Sequence, residues 1–356
     1  MTTETREDAT DGYRARVDVV YARLSGADAR EDGDKLRVLL NYGEHGRELV
    51  PVDAAVRLLE TMAEGEDAVV ALARGRGVDE TRLRAMLRAT TFAVVPMENE
   101  RGRELVERGD PCERKNGRGV DPNRNWGVNW GVKAPDYDPK EEFPGTAPFS
   151  EPESRIFRDL VASFEPHAVV NWHSGMSAIF TPYDHVAREP TGAGAEAMMR
   201  FARVIDAEHC AKKCTLGSGG KGVGYLAHGT ATDYIYEKMK VPVVYTWEIY
   251  GDLDAPFEDC HRAFNPTTKE TRDAVVEAWF GAPITLVSML DQHPDINFKH
   301  QSVVPAVASS SSFAVGDEQR RFPWTISLAF AFFTLVALRR LRRSKRGGGA
   351  AIGTSL

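Results

Sequence analysis

Apolar residues alternate or run together in six short stretches, 17–24, 35–42, 91–96, 168–172, 179–182 and 241–248, and each reads as a β-strand. Between them, apolar positions recur at helical spacing over 53–64, 79–88, 151–164, 195–210, 232–239 and 269–290. Runs of β-branched residues alternating with helices predict an α/β fold. The sheet should be mixed but largely parallel, and covered by helices on both faces. In such sheets functional side chains collect where strands end and loops begin. No internal repeat is evident.

The pattern changes at the two ends of the chain. The first 16 residues are polar and acidic, without the apolar core of an export signal. They are expected to be a polar segment, with the natural N-terminus incomplete. From 322 to 338 about 17 residues pass without a charge, the lower limit for spanning a bilayer. Trp324 would sit at one interface, and Arg339, Arg340, Arg342, Arg343, Lys345 and Arg346 form a basic flank at the other. This predicts a catalytic domain over 17–298, a stalk over 299–321, a C-terminal transmembrane helix over 322–338 and a cytosolic basic tail over 339–356. The body would then be lumenal or extracellular, along the secretory pathway.

The formal charge of −7 understates how acidic the body is, because the tail is basic. An acidic body argues against nucleic acid as a partner, since phosphate neutralisation needs clustered Lys and Arg. The 4 cysteines, Cys112, Cys210, Cys214 and Cys260, show no zinc-finger spacing and fit either disulfides or buried thiols.

Candidate chemistry lies at the strand ends. The strand LRVLLNYG runs into Glu44-His45-Gly46-Arg47-Glu48, and an HxxE spacing lets His45 and Glu48 reach one metal from a single turn. AVVNWHSG ends in His173. Together they make a His₂Glu set that leaves a coordination position open, the arrangement of a catalytic zinc site. Taken singly, each is more simply a surface helix start or a packed histidine. VPVVYTWEIYG places Glu248 in an apolar run, where a carboxylate is costly unless partnered. It reads as a general base toward a metal-bound water, or as a salt-bridged structural residue. The segment CERKNGRGVDPNRNW is dense in arginines and amides suited to gripping a carboxylate, and on its own reads as a solvated loop.

With these motifs in order, HGRE, CERKN, DPNRNW, NWHSG, a Tyr ahead of GTATDY, and WEIYG, residues 17–290 resemble the zinc metallocarboxypeptidases of the carboxypeptidase A/B type. NYGEHGREL, NGRGVDPNRNW, GTAPFSEPE and GYLAHGTATDY are most similar to the carboxypeptidase A-like proteins of plants and green algae. The resemblance implies one Zn²⁺ per chain on His45, Glu48 and His173, and peptide or protein C-termini as substrates. It makes Glu248 the general base and later proton donor, and Arg114 the group that stabilises the oxyanion. Asn123 and Arg124 would hold the substrate's terminal carboxylate, Tyr225 would close over it, and Ser174 would line the site. Thr232 and Asp184 would line the pocket for the terminal side chain, and a carboxylate at Asp184 would favour Lys or Arg there. The chain departs from the resemblance in having no room ahead of Val17 for an inhibitory pro-domain. A zinc amidohydrolase of related fold acting on an acylated amino acid, and a catalytically silent peptide-binding protein, remain as rival readings.

Overall fold

A computed structural model describes residues 1–24, 35–73, 78–133, 137–256 and 258–297. Eight strands form one mixed sheet: β1 (Thr2–Thr10), β2 (Tyr13–Arg23), β3 (Leu36–Tyr42), β4 (Thr90–Val95), β5 (Ala168–His173), β6 (Met176–Thr181), β7 (Thr215–Ser218) and β8 (Val243–Tyr250). Their order is β1-β2-β4-β3-β5-β8-β6-β7. The run β4-β3-β5-β8 at the centre is parallel, as is β6-β7, while β1-β2, β2-β4 and β6-β8 are antiparallel.

The near-continuous apolar runs follow from burial of both faces. In β3, Val38, Leu40 and Tyr42 enter one core and Leu39 the other. In β5, Val170 and Trp172 oppose Val169 in the same way. One face is covered by Val50–Glu64, Glu80–Arg88, Ala193–His209 and Lys269–Trp279, the other by Pro152–Phe164 and Ala231–Glu237.

Two expectations need correction, and one rival reading is set aside. Residues 1–16 are not merely a polar segment: Thr2–Thr10 pairs along its whole length with β2. The turn between them is Asp11-Gly12, both at positive φ (49° and 82°), the geometry that suits a tight hairpin. Alternation is faint in β1 because it is an edge strand, largely exposed. The single helix expected over 269–290 is broken. Lys269–Trp279 ends near Gly281, and Pro283 sits in the first turn of a separate helix, Ala282–Val287, where its missing N–H costs nothing. The 112–126 segment, with only a short 3₁₀ turn at Pro122–Arg124, is also far from solvated. Asn116, Asp121 and Asn125 are fully buried in it. Asn116 donates to Glu151 (2.9 Å) and Glu153 (3.1 Å), which ties the loop to the start of the 152–164 helix.

All four cysteines are paired, Cys112 with Cys260 and Cys210 with Cys214. The first pair fixes the beginning of the arginine-rich loop to the helix Cys260–Phe264, 148 residues away. Among the described residues no helix is long and apolar enough to cross a membrane. The expected stalk, membrane helix and tail lie outside the described residues.

Candidate active site: a convergent His-Glu-His cluster

The parallel strands β3, β5 and β8 lie side by side and deliver their carboxyl ends to one place. After β3 the chain turns through Glu44–Glu48, with the Glu48 amide donating to the His45 carbonyl (3.3 Å). Gly46 is required in this turn, because a Cβ would stand 2.6 Å from the backbone of Gly102. His173 is the last residue of β5 and pairs in register with Glu248 of β8.

This geometry brings His45 Nδ1 to 2.7 Å from one oxygen of Glu48 and His173 Nδ1 to 2.9 Å from the other. The two Nδ1 atoms are 3.1 Å apart. All three side chains are buried. Two imidazole nitrogens so close to each other and to one carboxylate form a donor set that a cation would satisfy. Behind each ring stands another carboxylate: Asp121 Oδ1 lies 3.2 Å from His45 Nε2, and Glu44 Oε2 lies 3.2 Å from His173 Nε2. At His45 the Asp121 carboxylate bonds Nε2 and leaves Nδ1 to face inward, the usual support of a metal-binding histidine, while Glu44 stands at ion-pair distance behind His173. Two nitrogens and one carboxylate, converging in this way, fit Zn²⁺.

Glu44, adjacent to His45, and Glu48, three residues on, take different places in the fold. Glu48 faces the Nδ1 atoms, whereas Glu44 is turned to the back, where it also accepts from Asn171 (2.6 Å). Asn171 in turn accepts from Asn41 (2.9 Å), so the support for His173 runs back into the sheet. The electrostatics agree. Burial opposes ionisation of Glu48, but His45 and His173 hold it well below the usual carboxylate range. Burial would lower His173, yet Glu48 and Glu44 carry it well above its ordinary value. Replacing Glu44 by Gln is expected to weaken zinc binding by about 10–100-fold, measured by competition with a chelator. An unchanged zinc affinity would reduce Glu44 to a packing role.

Arg114 stands at the mouth of the cluster. Its Nε donates to Asp121 Oδ2 (2.8 Å), and its Nη1 is 3.2 Å from His45 Nδ1 and 3.8 Å from Glu48. Asp121 therefore links Arg114 to His45, and although burial disfavours its charge, Arg114 and His45 hold it well below the usual range. Glu248 has one carboxylate oxygen, Oε2, without a hydrogen-bond partner among the described residues. Burial, and then the charge of Glu48, push it up to about 8.

Asn123 and Arg124 are also buried. The Asn123 amide oxygen accepts from the Ala231 N–H (2.9 Å) at the start of the Ala231–Glu237 helix. Arg124 donates through Nη1 to the Asn123 carbonyl (2.9 Å) and through Nη2 to Glu142 (2.7 Å). Tyr225 is 39% exposed, with its hydroxyl in the field of Arg124 and Arg114. Ser174 gives its N–H to Glu48 (3.1 Å), while its hydroxyl has no partner among the described residues. Thr232 is engaged with Thr246 (2.7 Å). Asp184 is buried, with its N–H on Asp233 (2.9 Å), and burial followed by the charge of Asp233 pushes it up to about 7. Gly219 lies directly against it, where a Cβ would be 2.0 Å from Asp184 Oδ1. Arg124 and His173 both favour the charged form of Asp184.

A profile described as zinc carboxypeptidase matches residues 17–280. The chain belongs to the zinc carboxypeptidase family. It is 24% identical over 252 residues to a zinc carboxypeptidase of Simulium vittatum, covering 67% of this chain and 78% of that one. To zinc carboxypeptidase A 1 of Anopheles gambiae it is 24% identical over 252 residues, covering 67% of this chain and 55% of the relative. To human carboxypeptidase O it is 26% identical over 211 residues, covering 56% of each chain. The matched part thus spans as little as about half the length of these relatives. In fold it is similar to the crystal structure of carboxypeptidase A from Helicoverpa armigera (TM-score 0.62, 21% identity, covering 81% of this chain and 69% of that one).

Sequence reasoning named the three donors, Arg114 and Glu248, and the structure gathers them. It passed over Glu44, Asp121 and Glu142. Asp121 had a signal, as the acid opening the DPNRN segment, but Glu44 and Glu142 had none that separated them from ordinary surface acids.

Proposed function

We propose that this chain is a zinc-dependent carboxypeptidase that hydrolyses the C-terminal peptide bond of peptides or proteins, with one zinc per chain on His45, Glu48 and His173. The observation that carries the reading is the convergence of both Nδ1 atoms on Glu48, with Arg114 beside them and Asn123 tied through its N–H to Asp121. Bound there, zinc would polarise the scissile carbonyl and acidify water.

The protein's own groups do the rest. Glu248 takes a proton from the attacking water and returns it to the leaving amine, for which its unpartnered oxygen and raised pKa suit it. Arg114, held in direction by Asp121, stabilises charge on the carbonyl oxygen. Asn123 and Arg124 bind the terminal carboxylate and Tyr225 covers it, while Ser174 lines the floor. Thr232 and Asp184 shape the pocket for the last side chain, where Asp184 favours Lys or Arg. A cationic side chain beside it would bring the Asp184 carboxyl back toward its ordinary range.

The test is release of the last residue from matched peptides ending in Lys, Arg, Leu or Phe, with free or amidated C-termini, with and without chelator. Chelator-sensitive release that needs the free carboxylate and favours Lys and Arg is expected, with the preference lost in Asp184→Asn. Release from amidated ends, or from acylated amino acids alone, would replace the reading by an amidohydrolase. For 322–338, the charge pattern supports a membrane anchor with the catalytic body lumenal or extracellular. Digestion of that body by protease added to sealed microsomes would overturn it.

A further inference from the structure

The arginine assigned to the substrate's carboxylate already holds a carboxylate. Arg124 Nη2 donates to Glu142 Oε1 at 2.7 Å, in a pair whose side chains are 8% and 20% exposed. Glu142 ends the short helix Pro139–Glu142, which is strapped to the site at several points. Glu141 pairs with Arg47 (2.8 Å), Lys115 Nζ donates to the Lys140 carbonyl, and the Phe143 carbonyl accepts from the Asp121 N–H (2.8 Å). The charge of Glu142 also acts on the Tyr225 hydroxyl and on His228. It therefore stands among the groups that would surround a bound terminal carboxylate.

We propose that Glu142 is a displaceable counter-ion of the carboxylate clamp, which a substrate's own C-terminal carboxylate must replace on Arg124. The inference rests on the carboxypeptidase reading given above. A buried guanidinium facing a binding site is costly unless paired, and Glu142 supplies the pair in the free protein. Binding a free C-terminus then exchanges one carboxylate for another, so part of the attraction of Arg124 is offset. A ligand ending in an amide brings no replacement charge and leaves Glu142 in place. Glu142 thus sets how strongly the clamp binds and narrows its preference for free ends over blocked ones, a preference that should widen when Glu142 is neutralised. Being partly exposed, it has solvent to turn into when displaced.

The experiment is calorimetric titration of the zinc-loaded full chain with a hexapeptide ending in Leu whose last peptide bond is N-methylated against cleavage. Free and amidated forms are compared for wild type, Glu142→Gln, Glu142→Asp and Glu141→Gln. Glu142→Gln should bind the free form on the order of tenfold more tightly, a change of about 1.4 kcal/mol, with a matching fall in KM for the cleavable peptide. Glu142→Asp, which withdraws the carboxylate by one methylene, should fall between the two, and Glu141→Gln should keep the wild-type ratio of free to amidated binding. Weaker or unchanged binding of the free form by folded Glu142→Gln would make Glu142 a prop that positions Arg124, and would overturn the inference. Wild-type protein that binds both forms equally would instead remove the carboxypeptidase reading beneath it.

Discussion

Glu248→Gln is expected to lower kcat/KM roughly 10²–10⁴-fold, the usual contribution of a positioned general acid-base, while zinc content stays at the wild-type level. The amide is nearly isosteric but can neither take a proton from water nor return one to the leaving amine. Glu248 pairs with His173 across β5–β8 but is not one of the three donors, so the ligand set survives the change. The pH profile gives a second readout. Burial and then Glu48 push the Glu248 carboxyl up to about 8, whereas the positive charge of a bound zinc pulls it down. A base works only when ionised, so activity should fall as pH drops through a pKa between the ordinary glutamate value and about 8. That acid limb should disappear from whatever activity Glu248→Gln retains. A variant with a wild-type rate, or with the same acid limb, would move the base to another residue.

Arg114→Lys is expected to cost about 10²–10³-fold in kcat, on the scale of losing one oxyanion donor, with a much smaller effect on KM. The substitution keeps the charge but loses the fork. In the wild type Nε is fixed on Asp121 while Nη1 is aimed at the metal donors, and an ammonium cannot hold both positions from one atom. Single-turnover cleavage of the free peptides would read the chemical step directly, and chelator competition would check that zinc binding is retained. If KM carried the whole loss, Arg114 would belong to substrate binding and not to the developing oxyanion.

Some of this protein was legible in the sequence because the controlling forces are local. The six apolar stretches became β2 to β6 and β8 with ends shifted by a few residues, since period-2 and continuous apolar patterns report burial on one or two faces directly. The spacing of His45 and Glu48 on one turn, and a histidine ending an apolar strand, likewise depend on near neighbours. The polar edge strand β1 lacked such a pattern, although its Asp11-Gly12 turn was a usable cue. The break after Trp279 was marked by Gly281 and Pro283, but helical periodicity across it obscured the stop.

What stands behind each functional group was decided by the tertiary structure. Glu44 directly precedes His45 and Glu48 follows it by three, and the fold turns Glu48 to the Nδ1 atoms and Glu44 to the far side of His173. The arginine-rich loop is polar enough to be solvated, yet Glu151, Glu153 and the Cys112–Cys260 bond bury it. Arg124 and Glu142 meet across 18 residues through a strap pinned at Arg47 and Asp121. Strand ends and side-chain types follow from local periodicity, which the sequence carries by itself. Pairings between distant polar groups follow from sheet order, register and loop anchoring, because a buried charge is held wherever the fold supplies its partner.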